Sequence, residues 1–401
     1  MKKLVLSLCV ATALFSCSND DNDGLIINTG NQVTAPDTYV FERNGNSSVS
    51  FSGQTDRIKM SEEILSAFTN TAKTELEIKA MFDHQTGNSD FTDTALNSSS
   101  KNVRSKVAAS RDFFSANTTA SAAIKADFEG FISDQVNNVF PNWANTASMG
   151  NAGQLQQAGG GSIRYINAKG LEYNQAFAKS LLGALMTDQI LNNYLSDAVL
   201  DEAQNIANNN NGVLDGTSNY TTMEHKWDEA FGYLYGKEPN PAMPTLEHDK
   251  FLNEYLAKAD QDTDFNGIAM TVFNAFKLGR AAIVAKNYTV RDQQVEIIRE
   301  KLSEVIAIRA VYYLQQGKAK LTTDKASAFH ALSEAYGFIY SLQFTRKPGS
   351  TEAYFTKTEV EALNATLMSG NGFWDITGAE LDTISNTISD EFTFTTAQAG
   401  N

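Results

Sequence analysis

Two segments of this chain carry the same chemistry-bearing residues in the same order. One reads H-K-W-D-E-A-F-G-Y-L-Y from His225 to Tyr235, the other H-A-L-S-E-A-Y-G-F-I-Y from His330 to Tyr340. In a helix, residues i and i+4 share a face, so His225 lies beside Glu229 and His330 beside Glu334. An imidazole and a carboxylate one turn apart make a chelating pair for iron, zinc or another divalent metal. Asp228 adds a third oxygen donor in the first copy, where the second has Ser333. That difference points to the first copy as the working one. Gly232 and Gly337 fall on the same face at i+7. A glycine inside a helix costs about 1 kcal/mol against alanine, so each marks a close approach, by another backbone or by a ligand. The bland reading is a helix-stabilising His–Glu contact and core packing. The repeat fits a metal or ligand site, and it also fits an inherited packing device.

Other chemistry is excluded or weak. The chain has four histidines and two cysteines. Cys9 lies in the apolar run Leu4–Phe15, which follows Met1-Lys2-Lys3 and reads as a secretory leader, residues 1–16. Cys17 follows a lipobox-like Leu14-Phe15-Ser16 and is the expected lipidation site. A mature chain beginning there has no second cysteine, hence no disulfide and no Cys-ligated metal. Removal of Lys2 and Lys3 takes the formal charge from −15 to −17, which excludes nucleic acid and anionic lipid headgroups as preferred partners. Gly159-Gly160-Gly161-Ser162 lacks the lysine of a phosphate loop. Asp260, Asp262 and Asp264 precede a glycine set too late for an EF-hand. No H-E-x-x-H or G-x-S-x-G occurs, so no protease or serine hydrolase is expected. Arg164, Glu172 and Gln175 are candidates to line a cleft at a helix start.

The elements that must position these groups are helical. A lipidated acidic tether (17–38, with Asp20, Asp21 and Asp23) leads to an expected β-ribbon at 39–60, turning at Asn44-Gly45. Helical periodicity then runs from Ser61. The stretch 142–169 reads as loop. Helices are expected near 171–208, 221–235, 247–258, 265–286, 291–317, 323–343, 357–369 and 376–388. Pro239, Pro241 and Pro244 mark a connection between two pseudo-symmetric helical bundles, 61–240 and 241–401. Outside the motif the halves share only faint similarity, such as Asn193-Tyr194-Leu195 beside Tyr312-Tyr313-Leu314. The expected fold is all-α, two bundles behind a small N-terminal β-ribbon.

The motif, the segment Gly53 to Met60 and the segment Arg164 to Gln175 resemble imelysin-like proteins. They resemble more closely a poorly characterised Bacteroidota lipoprotein family found near imelysins and TonB-dependent receptors. The resemblance implies an exported outer-membrane lipoprotein at the cell surface, with the periplasmic face as the alternative. It implies a binding role in iron or metal-complex acquisition, with a TonB-dependent receptor or an imelysin as partner. Met223 stands where imelysins have glycine before the histidine, and Asp228 takes their glutamate position. The alternatives are a structural or interaction lipoprotein without metal, in which the motifs pack helices, and, third, a metal-dependent hydrolase.

Overall fold

Asn44 and Gly45 both hold positive φ, 53° and 75°, the geometry of a tight hairpin turn. They join β1 (Glu42–Arg43) to β2 (Asn46–Ser47), antiparallel, with Glu42 opposite Ser47. The computed structural model describes residues 33–401. The expected leader, Cys17 and the tether before residue 33 lie outside the described residues. The ribbon is shorter than the expected 39–60, because α1 (Ser52–Ala67) opens well before Ser61. The buried positions of its first turns are Gln54, Arg57 and Ser61 beside Ile58 and Met60. Polar side chains on the inner face hide a helix from a hydropathy reading.

Next come α2 (Glu75–Phe82), α3 (Thr94–Ser98), α4 (Arg111–Phe114) and α5 (Thr118–Asp134). A π turn and a 3₁₀ turn carry α5 on to Asn142, where Pro141 ends it. The stretch 142–169 is more ordered than expected. It holds the hairpin β3 (Gly153–Gln156) and β4 (Ile163–Ile166), and Trp143 stacks on Tyr165 with ring centres 3.4 Å apart. Then α6 (Tyr173–Leu181) continues as a π-helical segment, Leu182–Tyr194, buried along almost its whole length. Later elements are α7 (Asp197–Leu200), α8 (Asn205–Asn211), α9 (Thr222–Tyr235), α10 (Leu252–Asp260) and α11 (Ile268–Ala285). The chain finishes with α12 (Tyr288–Lys320), α13 (Lys325–Ser341), α14 (Lys357–Leu367), α15 (Gly378–Ser389) and α16 (Thr396–Ala399). The fold is all-α with a small N-terminal ribbon.

Residues on both sides of position 241 share one hydrophobic core. Helix α12, 33 residues and about 50 Å long, packs on α11 and α13; α13 lies on α6; α9 lies on α1, α11 and the π segment. Helix α11 is long and apolar enough to span a bilayer by length and composition. In this fold its Arg280 is fully buried in an ion network with α9.

Candidate functional site: a duplicated His–Glu helix pair

Each motif helix clamps the start of another helix, in the same way. In the first copy, α9 begins at the N-cap Thr221, whose capping box with Glu224 satisfies the first backbone N–H groups. One turn on, His225 Nδ1–H donates to the carbonyl of Ser50, 3.1 Å away, just before α1. The Ser50 N–H donates to Asp228 at 3.3 Å. In the second copy, the residue just before α6 is Glu172. His330 Nδ1–H donates to its carboxylate at 2.9 Å, and its backbone N–H donates to Ser333 Oγ at 2.9 Å. The Asp228/Ser333 difference therefore changes the acceptor but keeps its task.

The glycines complete the clamp. A Cβ on Gly232 would run into Phe51 and lie 3.1 Å from Gln54 Cβ, both at the start of α1. One on Gly337 would run into Lys179 of α6 and lie 2.9 Å from the backbone nitrogen of Ser180 and 3.0 Å from the Ala176 carbonyl. What approaches the His/Glu face at i+7 is a helix in both copies.

The i+4 carboxylates are held differently from the i+3 ones. Glu229 accepts from Gln54 Nε2 at 3.0 Å and from Lys226 Nζ at 2.8 Å, with His225 Nε2 3.9 Å away. Burial pushes its pKa up, but Lys226 and His225 outweigh this and leave it below the usual value. Burial lowers the pKa of His225, against the opposing pull of Glu229; its ring stacks on Tyr220, centres 4.5 Å apart. Asp228, a turn's third away, faces α11. It accepts from Tyr39 Oη at 2.7 Å and Arg280 Nε at 3.1 Å. Arg280 also reaches Glu224 at 3.0 Å, and Arg43 of β1 forks onto the same carboxylate at 2.9 and 3.0 Å. Asp228 is thus an anchor for the ribbon and α11, with its oxygens committed away from His225 and Glu229.

Glu334 accepts from Tyr255 Oη at 3.0 Å, lies 3.4 Å from Lys179 Nζ and 3.7 Å from His330 Nε2. Burial raises its pKa, but Lys179 and His330 bring it below the usual value. Burial also pushes Lys179 down. Lys179 and Lys258 sit over the Tyr255 ring, 4.8 and 4.7 Å from its centre. This copy opens into a cleft of about 610 Å³ bounded by His330, Glu334, Gln175, Tyr255 and three lysines, Lys179, Lys250 and Lys258.

Of the three cleft candidates, Gln175 lines this space and Glu172 backs it through His330. Arg164 stays in β4, with its Nε buried and without a partner. Sequence reasoning missed Tyr255, Lys179, Lys258 and Tyr313, which come from α10, α6 and α12. For Tyr313 a signal existed. Tyr194 packs on Tyr233 (6.1 Å), and Tyr313 on its repeat counterpart Phe338 (5.7 Å), so the faint Asn193-Tyr194-Leu195 similarity reflects equivalent positions.

A bare metal ion fits these groups poorly. Among the described residues, no three His, Cys, Asp or Glu side chains gather as a metal site. Each His–Glu pair has an ammonium on its carboxylate, Lys226 in one and Lys179 in the other. His330 and His225 each spend Nδ1–H on a helix start.

The fold and site together define an all-α protein built around a duplicated His–Glu clamp. Residues 36–395 match the family model described as Domain of unknown function (DUF4856), and the chain belongs to that family. No curated protein and no solved structure matches it.

Proposed function

We propose that the protein is a non-catalytic binding component in metal-complex acquisition, taking an anionic metal chelate into the cleft beside His330 and Glu334. The observation that carries this reading is the cleft beside the second copy. Gln54 and Lys226 hold Glu229 in the first copy, whereas the second borders about 610 Å³ lined by Lys179, Lys250 and Lys258, with Glu254 paired to Lys258 and Glu334 to Lys179. That volume suits a small organic ligand. Ammonium groups repel a free cation but bind a carboxylate-bearing chelate. The imelysin-like resemblance supports the setting: a lipid anchor on Cys17, an acidic tether favouring the cell surface over the periplasmic face, and a TonB-dependent receptor as partner. The hydrolase reading is least supported, since Asp228 and Glu229 are both committed to other side chains.

Isothermal titration with ferric citrate, and separately with ferrous and zinc salts, tests the reading. Ferric citrate should bind the wild type. Loss of a charge-assisted hydrogen bond should weaken it about tenfold or more in His330→Ala, while His225→Ala binds normally. Binding of the free ions alone, or equal loss in both variants, would sink it. For the first copy, the packing alternative is favoured by the contact of Gly232 with Phe51 and Gln54.

A further inference from the structure

A second cleft, of about 510 Å³, opens between α5, the start of α6, α13 and α14. It differs in chemistry from the first: no lysine, arginine or histidine lines it. Two of its carboxylates belong to Asp127 and Asp134 of α5. Asp127 accepts from Tyr340 Oη at 2.7 Å. Asp134 accepts from Tyr173 Oη at 3.2 Å and from Asn138 Nδ2 at 3.0 Å. Each is thus held by neutral donors rather than by a cation. The third, Glu361, is paired with Lys357.

Seven residues separate Asp127 from Asp134, so they lie on one face of α5 about 10 Å apart along its axis. Between them is Gly130, also in the lining; a Cβ there would meet no atom within 4 Å. The floor between the carboxylates is therefore open backbone, flanked by apolar Leu171, Val360 and Met368. On the facing helix α14, Asn364 is 6% exposed. Its Nδ2 donates to the Tyr336 carbonyl at 3.2 Å, and its Oδ1 is buried without a hydrogen-bond partner. The cleft thus offers two carboxylates without a cation and one unmet acceptor, and it supplies no positive charge of its own.

We infer that this cleft binds a linear aliphatic polyamine. Its terminal ammonium groups meet Asp127 and Asp134, its methylene chain crosses Gly130 against the apolar wall, and an N–H reaches Asn364 Oδ1. Asp127 and Asp134 are two helical turns apart, about 10 Å along the axis, a spacing that a flexible diamine of matching length spans. The strongly acidic chain, −15 overall, draws such a cation in.

The test is calorimetric titration of the full chain with spermidine, with 1,3-diaminopropane as a cation too short to span both aspartates. Spermidine should bind, and Asp127→Asn or Asp134→Asn should each weaken it about tenfold or more. Gly130→Leu should abolish binding while leaving the melting temperature unchanged or raised, since leucine favours helix and its Cβ enters open space. Asp264→Asn, an exposed turn position, controls for general attraction to an acidic surface, and His330→Ala for the other cleft; neither should alter spermidine binding. The inference is overturned by absent spermidine binding, by equal weakening in Asp264→Asn, by full binding in a folded Gly130→Leu, or by 1,3-diaminopropane binding as tightly.

Discussion

Replacing Gly337 by alanine tests whether the repeated glycine serves a helix approach. In an unobstructed helix this change stabilises by about 1 kcal/mol, through lower backbone entropy in the unfolded chain. Here the new Cβ would run into Lys179 and come within 2.9 Å of the Ser180 nitrogen and 3.0 Å of the Ala176 carbonyl. Two of those atoms are helix backbone and cannot rotate away, so α6 and α13 must separate. Over-packing of a tight contact costs about 1–3 kcal/mol, and rigid backbone in the way places this site in the upper part of that range, so after the propensity gain a net loss of roughly 1–2 kcal/mol remains. Gly130→Ala supplies the control inside the same molecule, because its Cβ meets nothing within 4 Å; it should stabilise by about 1 kcal/mol. Urea denaturation followed by circular dichroism reads both, as opposite shifts in midpoint at constant slope. Gly232→Ala should behave like Gly337→Ala, because Phe51 and Gln54 block it. If Gly337→Ala raises the midpoint as Gly130→Ala does, the helix-approach reasoning fails.

Two further outcomes follow from the geometry, and one from the anchor proposed above. Arg280→Met should cost about 3–5 kcal/mol, since it leaves the buried carboxylate of Asp228 without a cation and Glu224 with Arg43 alone. Adding Asp228→Asn should recover part of that loss; denaturation curves of the single and double variants check it, and additive losses would refute the coupling. Burial pushes Asp188 up to about 7 despite hydrogen bonds from the Ser110 and Ala109 N–H groups and from Asn192. Its folded pKa exceeds the unfolded value near 3.8, so the folded state binds more protons between those limits and stability falls as pH rises from about 4 to 7. Asp188→Asn should flatten that decline, by at most about 4 kcal/mol, in melts recorded from pH 4 to 8; an unchanged pH profile would contradict this. The lipid anchor proposed at Cys17 predicts that Cys17→Ser releases the protein from membranes in cell fractionation, because no lipid chain can then be attached. Labelling of intact cells should reach the wild type if the tether directs surface display.

Helix placement was legible where apolar periodicity was strong. The motif helices expected at 221–235 and 323–343 are α9 and α13 within two residues at each end. Turn chemistry, with the alternation of Tyr39, Phe41, Val49 and Phe51 around it, located the Asn44-Gly45 hairpin, since few sequences tolerate positive φ at both positions. The start of α1 was hidden because Gln54, Arg57 and Ser61 face inward. Those residues are buried by partners distant in sequence, such as Glu229 for Gln54 and the Asn102 carbonyl for Arg57. The hairpin β3–β4 was hidden by its glycine- and glutamine-rich composition, and depends on local pairing and the Trp143–Tyr165 stack.

By itself, the sequence determined that the protein is helical, that a His–Glu–Gly unit occurs twice, and that something packs closely over each glycine. Those are matters of local spacing: a 3.6-residue period puts i, i+4 and i+7 on one face whatever surrounds it. Only the tertiary structure decided what meets that face. It brought the starts of α1 and α6 against the two glycines, turned Asp228 toward Arg280, and left a cleft of about 610 Å³ beside His330. Such choices rest on contacts between residues more than fifty positions apart, which no local pattern encodes.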